Sequence, residues 1–142
     1  MTPDAPATAL LLIAHGSRER AANADVYHLA TQLRDHGAFA IVEVSFLELA
    51  EPTIAHAAEA CVRSGAKDVI LLPYFLSAGV HVRRDLTEVQ KELSERYSEI
   101  RFVLADPLGQ HRLLQDIVLE RARQASRNIR ESDGAEADNE RR

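Results

Sequence analysis

The chain has 142 residues, 46% hydrophobic, 27% charged and 5% aromatic, with 22 acidic against 17 basic side chains and a formal net charge of −5. That length is one ordinary core, large enough to fold without disulfides or a structural metal. The single cysteine, Cys61, excludes an internal disulfide framework and any cysteine-rich zinc or iron–sulfur site. With no broad basic footprint and few aromatics, a nucleic-acid partner is not expected, and an anionic ligand has to be met by a local cluster of arginines.

The first eight residues carry no Lys or Arg ahead of the short apolar run Ala9–Ala14. This pattern fits neither a secretory signal nor a membrane span. The expectation is a cytoplasmic protein, in keeping with a reducing compartment, with no membrane partner.

Four short runs rich in Val, Ile, Leu and Phe read as strands: Ala9–Ala14, Ala40–Leu47, Asp68–Phe75 and Ile100–Ala105. They mostly lack polar alternation, as strands covered on both faces do. Arg18–His36 follows the first run with Val26, Leu29, Ala30 and Leu33 at helical spacing. Pro52–Ser64 opens with a proline, suited to a first helical turn, and stops at Gly65, a C-cap signal. The third helical pattern, about Val82–Tyr97, lines up Leu86, Val89 and Leu93; the fourth, about Gln110–Ala125, lines up Leu113, Leu114, Ile117 and Val118. From about Arg127 the apolar residues nearly vanish. The expected organisation is one domain over residues 1–126 and a disordered polar tail over 127–142.

Strand–helix alternation with short connections predicts an α/β fold, a small doubly wound, mostly parallel sheet of about four strands with helices on both faces. In such a sheet, functional groups collect beyond the carboxyl ends of the strands. The four segments delivered there are His15-Gly16-Ser17-Arg18, Glu48 to Thr53, Leu76-Ser77-Ala78-Gly79-Val80-His81 followed by Arg83-Arg84-Asp85, and Asp106 to His111. His15 and His81 thus share one rim, where neutral imidazoles bind Fe²⁺, Co²⁺, Ni²⁺ or Zn²⁺, or act as general bases near neutral pH. Each also has a plainer reading as a rim histidine satisfied by backbone, with Ser17 capping the first helix. Glu51 either contacts a ligand or relieves the N-terminus of the second helix, with Glu48 in reserve. Arg83 and Arg84 oppose the dipole where they stand, which points to an anion nearby; Arg18 and Arg20 repeat the pattern, and Asp85 is a candidate partner for one of them. His28, His36 and His56 are expected on the surface away from the rim, and Cys61 inside the second helix as a small packed side chain.

The four segments in order, Leu11 to Arg18, Glu51-Pro52-Thr53-Ile54, Pro73 to Asp85 and Asp106-Pro107-Leu108-Gly109, resemble the small sirohydrochlorin chelatases of the CbiX and SirB type, class II chelatases related to the two-lobed protoporphyrin ferrochelatases. The resemblance spans about residues 9–125. It implies a chelatase-like fold and ATP-independent insertion of Co²⁺ or Fe²⁺ into sirohydrochlorin, toward cobalamin or siroheme. It further implies His15 as metal ligand and proton acceptor, His81 as the second metal ligand, and Glu51 with Leu76, Ser77, Ala78, Gly79 and Val80 as substrate contacts. Arg18, Arg83 and Arg84 are placed to hold the carboxylates of the substrate. The divalent metal (Co²⁺, Fe²⁺ or Ni²⁺) is substrate, no cofactor is permanently bound, and a homodimer is expected because the small members resemble half of the two-lobed enzymes. Two other readings stand beside this one: a non-catalytic metal or tetrapyrrole carrier using the same rim, and a histidine-phosphatase-like phosphotransfer enzyme, which the Ala14 preceding His15 disfavours because those enzymes place an arginine there.

Overall fold

In a computed structural model, which describes residues 7–142, the four apolar runs become β1 (Ala7–Ala14), β2 (Ile41–Phe46), β3 (Ala66–Pro73) and β4 (Arg101–Leu104). Between them lie α1 (Arg20–His36), α2 (Ile54–Arg63) and α3 (Val80–Arg96), and α4 (Arg112–Glu140) follows β4. The strands form one parallel sheet in the order β2-β1-β3-β4. The expected α/β sheet with helices on both faces is therefore present. The segment 1–6, on which part of the N-terminal reading rests, lies outside the described residues. Among the described residues no helix is long and apolar enough to cross a membrane.

Side-chain alternation divides the core between the two faces of the sheet. Ala9, Leu11 and Ile13 of β1, with Val69 and Leu71 of β3 and Phe102 of β4, pack beneath α2 and α3, which contribute Ala57, Ala58, Cys61, Leu86 and Leu93. Leu10, Leu12 and Ala14, with Val42, Val44 and Phe46 of β2, pack beneath Val26 and Ala30 of α1. The run Leu10–Ala14 is buried throughout because β1 is central and covered on both sides. Ser45 of β2, the one buried polar residue among the described residues, donates its hydroxyl to the Leu12 carbonyl at 3.0 Å.

The helix ends follow local chemistry. Gly37 closes α1 at φ 88, a left-handed conformation open to glycine at no steric cost. Thr53 caps α2, its hydroxyl accepting from the His56 N–H at 3.2 Å. The expected cap from Ser17 is not formed. Glu19 holds the N-cap position of α1, and Ser17 is instead tied to Asn23, whose side chain accepts from its N–H at 3.0 Å and donates to its carbonyl at 2.8 Å.

Cys61 is fully buried on α2, and burial, reinforced by the charge of Glu43, pushes its thiol up to about 12. The unfolded chain sheds this proton near pH 8.5, while the folded chain retains it. Stability should therefore be unaffected by this group below that pH and fall as pH rises from there toward the folded value. Urea midpoints measured from pH 8 to 11 should decline more steeply for the wild type than for Cys61→Ala. Parallel slopes would show that the thiol is not held protonated by the fold.

Leu108 ends the first compact unit, and Gly109–Arg142 form a second. Within the second, α4 continues without interruption to Glu140 through the mixed-charge segment for which the composition predicts a disordered tail. Losing apolar residues removes a reason to pack but not the reason to be helical: Arg, Glu and Ala are strong helix formers. Arg127 and Glu131 stand at the i,i+4 spacing that favours opposite charges, and Arg142 pairs with Asp138 at 3.8 Å in the same spacing. His111 caps this helix, its Nδ1 accepting from the Leu113 N–H at 3.1 Å.

Candidate functional site

All four strands are parallel, so their carboxyl ends reach one rim. His15 is the first residue beyond β1, and both neighbouring loops hold it. The Leu47 N–H donates to the Ala14 carbonyl at 2.9 Å and the Glu48 N–H to the His15 carbonyl at 3.1 Å, so the loop after β2 extends the β1–β2 ladder past the strands. On the other side the Tyr74 N–H donates to the Ile13 carbonyl at 2.7 Å, bringing Phe75 under the imidazole with ring centroids 4.5 Å apart and planes tilted by 33°. The histidine backbone is thus fixed from two sides and its ring from below, while the residue stays open to solvent.

Gly16 makes this approach possible. It sits at φ +95, and a Cβ added there would lie 1.8 Å from the Glu48 carbonyl oxygen. Glu48 is consequently brought against His15. The two share a cleft of about 410 Å³ with Asp85, walled by Leu47, Ile54, Val82 and Val89. A histidine and two carboxylates set among apolar walls can take up protons and attract a cation.

Glu51 occupies a different hollow. Leu49, at φ 63, turns the chain between the two glutamates, and Glu51 does not line the His15 cleft. Its Oε2 accepts from the Thr53 N–H at 3.2 Å and lies 3.4 Å from Nδ1 of His56. Its helix-start reading is therefore realised, and the expectation for His56 is corrected. Standing in the first turn of α2, directly after the β2 loop, His56 belongs to the rim. His28 and His36 are exposed on α1, as expected.

Beyond β3, Leu76, Ser77, Gly79 and Val80 are exposed and Ala78 is buried. Leu76 and Val80, with Leu49 from the β2 loop, leave apolar side chains standing in solvent at the strand ends. Gly79 is the N-cap of α3 and His81 its second helical residue, exposed but not among the residues lining the His15 cleft. Among the described residues, no group of three or more His, Cys, Asp or Glu side chains is assembled as a metal site.

Arg83 lines a third cleft, about 300 Å³, with Ala78 and Asp106. Arg18, Arg83 and Arg84 make no ion pair among the described residues, so their guanidinium charges are free to meet an anion. The pairing considered between Asp85 and a neighbouring arginine is not formed, and Asp85 turns to the His15 cleft instead. Glu48, held in reserve on sequence, and Asp85, considered there as an arginine partner, are the carboxylates that line the His15 cleft. The available signal for Glu48 was its place two residues past β2, level with His15 one residue past the adjacent β1.

The CbiX family profile matches residues 9–125 of this chain. The chain is 34% identical over 116 residues to the sirohydrochlorin cobaltochelatase of Sulfolobus acidocaldarius, covering 82% of this chain and 90% of that relative. It is 35% identical over 115 residues to the chloroplastic sirohydrochlorin ferrochelatase of Arabidopsis thaliana, covering 81% of this chain and 51% of that relative. The crystal structure of the sirohydrochlorin chelatase SirB from Bacillus subtilis subspecies spizizenii in complex with cobalt superposes with a TM-score of 0.76 at 31% identity, over 83% of this chain and 50% of that one. The chain thus spans about half the length of the plant relative and of SirB, and nearly all of the archaeal relative. The segments gathered at the rim fall within the matched residues, and by this match the chain belongs to the CbiX family.

Proposed function

We propose that this protein is a sirohydrochlorin chelatase that inserts a divalent metal, Co²⁺ or Fe²⁺, into the tetrapyrrole without ATP. The observation that carries the reading is His15, pinned at the end of β1 in a cleft shared with Glu48 and Asp85, with Arg18, Arg83 and Arg84 in the segments that follow β1 and β3 and in no ion pair among the described residues. Metallation exchanges two pyrrole N–H protons for one M²⁺, so both protons have to leave in turn through the site to solvent while a partly dehydrated cation is presented to one face of the ring. His15, neutral, accepts a proton and binds the metal at different moments, and His81 acts as the second metal-binding histidine. Glu48 and Asp85 supply the negative charge that draws in the cation; imidazole and carboxylate together accept Fe²⁺, Co²⁺ and Ni²⁺.

Sirohydrochlorin is a flat macrocycle with a rim of carboxylates. Arg18, Arg83 and Arg84 suit the carboxylates through charge-assisted hydrogen bonds, while Leu76, Ser77, Ala78, Gly79 and Val80 form a low floor against the ring, with Glu51 at its margin. The same reading includes a homodimer acting in the cytoplasm, with no permanently bound cofactor, in cobalamin or siroheme synthesis. Relatives that carry the names cobaltochelatase and ferrochelatase support both metals as candidates.

The test follows the visible spectrum of sirohydrochlorin under anaerobic conditions with catalytic protein and, separately, Co²⁺, Fe²⁺ and Ni²⁺. Conversion to the metallated spectrum over many turnovers, faster than in protein-free controls, is expected, and the relative rates rank the metals. A change that stops at one equivalent per chain would replace the chelatase with a carrier. Hydrolysis of a generic phosphate ester without metallation would revive the phosphotransfer reading.

A further inference from the structure

The two histidines proposed to bind the metal do not line one cleft. His15 stands in the cleft it shares with Glu48, while His81 is exposed outside it, in the first turn of α3. Asp85 belongs to both neighbourhoods. It lines the His15 cleft, and it follows His81 by four residues on the same helix. At about 100° per residue the two stand about 40° apart around the axis and one turn apart along it, the spacing at which helix side chains are neighbours. Helix side chains lean toward the amino end, so the Asp85 carboxylate leans toward the turn that carries His81. His15 therefore faces Asp85 from β1 across the cleft, and His81 adjoins it along α3.

The charge of Asp85 is also available. It follows Arg83 and Arg84 directly, yet neither Asp85 nor Glu48 is in an ion pair among the described residues. The cleft measures about 410 Å³, whereas a cation with six waters fills on the order of 180 Å³ at about 30 Å³ per water. A divalent ion thus enters with its hydration shell. The walls Leu47, Ile54, Val82 and Val89 offer it no ligand, which leaves His15, Glu48 and Asp85 as the groups that can replace its waters.

We infer that Asp85 is a docking carboxylate for the metal substrate, shared between two stations: with His81 it captures the hydrated cation on α3, and facing His15 it passes that cation into the cleft. This role rests on the chelatase reading and adds the order in which the groups act. Among the described residues no three His, Cys, Asp or Glu side chains are assembled around one point. That suits an ion that has to be released, because each step exchanges a few waters for one or two side chains and never cages the metal. Imidazole paired with carboxylate accepts Fe²⁺, Co²⁺ and Ni²⁺ at either station.

The experiment titrates the full chain with Co²⁺ alone, without tetrapyrrole, by calorimetry. Asp85→Asn removes a member of both stations and should weaken Co²⁺ binding by about tenfold or more. His15→Ala and His81→Ala each leave one station and should weaken it only about two- to threefold. The His15→Ala/His81→Ala double variant should fall to the level of Asp85→Asn. Asp85→Glu should recover most of the affinity, and Glu88→Gln, which removes an exposed carboxylate of α3 outside the cleft, should bind as the wild type does. In turnover, Asp85→Asn should raise KM for Co²⁺ by the same factor and leave KM for sirohydrochlorin nearly unchanged, a split that a merely structural residue would not produce. Either single histidine variant losing as much as the double variant would put both histidines on one ion and overturn the shared carboxylate. Co²⁺ binding that Asp85→Asn leaves unchanged would overturn it too, with the chelatase reading intact. The expected binding pattern without turnover would remove the chelatase and leave the shared carboxylate standing.

Discussion

Replacing His15 with alanine is expected to lower metallation turnover by roughly two to four orders of magnitude, the range typical of losing a positioned proton-transfer group, while thermal unfolding shifts by only a few degrees. The two effects separate because the residue is exposed and its fixed position comes from backbone bonds that alanine retains: the Glu48 N–H still reaches the residue-15 carbonyl, and Tyr74 still reaches Ile13. What is lost is the imidazole over Phe75. Sirohydrochlorin affinity, measured by absorbance titration without metal, should remain within a fewfold because the arginines proposed to meet the carboxylates are untouched. Turnover within threefold of wild type would dismiss His15 as the reacting histidine. In the same assay Glu48→Gln should fall further than Glu51→Gln, since Glu48 lines the His15 cleft and Glu51 does not. The reverse order would move the chemistry to the hollow of Glu51 and His56.

Gly16→Ala should be damaging in both stability and activity, although it adds one methyl group. At φ +95 an L side chain is strained by about 1–2 kcal/mol, and this methyl would start 1.8 Å from the Glu48 carbonyl oxygen, with the Phe46 Cβ 3.3 Å away. The obstructing atom is backbone, so relief requires the loop after β2 to move away from β1, breaking the bond from Glu48 to His15. A total destabilisation of about 3 kcal/mol or more is expected, seen as a melting temperature at least about 8 °C lower. Turnover per folded molecule should fall because Glu48 leaves the cleft. A contrasting Gly37→Ala change meets no atom within 4 Å, so at φ 88 it carries the conformational cost alone. If both variants lose the same stability and Gly16→Ala keeps full turnover, the close approach of the two loops is not what assembles the site.

The elements themselves were legible because short Val-, Leu- and Ile-rich runs and three-to-four spacing are local properties. β1 was recognisable as a doubly covered strand from Leu10–Ala14 alone, and each helix through α3 begins and ends within a few residues of its expected bounds. The rim also followed from the sequence, since parallel strands have only one carboxyl edge. The choice between two glutamates three positions apart did not follow, nor did the partner of Asp85. Both depend on a loop turned at Leu49 and on ladder bonds between segments more than 30 residues apart.

At the carboxyl end composition and propensity point in different directions: polarity removes the reason to pack, while helix propensity, which needs no core, accompanies α4 to Glu140. Residue order by itself thus determined the α/β class, the family segments and the set of groups delivered to one edge, because each rests on periodicity or on short contiguous motifs. Only the tertiary structure decided that Gly16 brings Glu48 to His15 and that His56 joins Glu51, because those outcomes depend on distances between segments that no local pattern encodes.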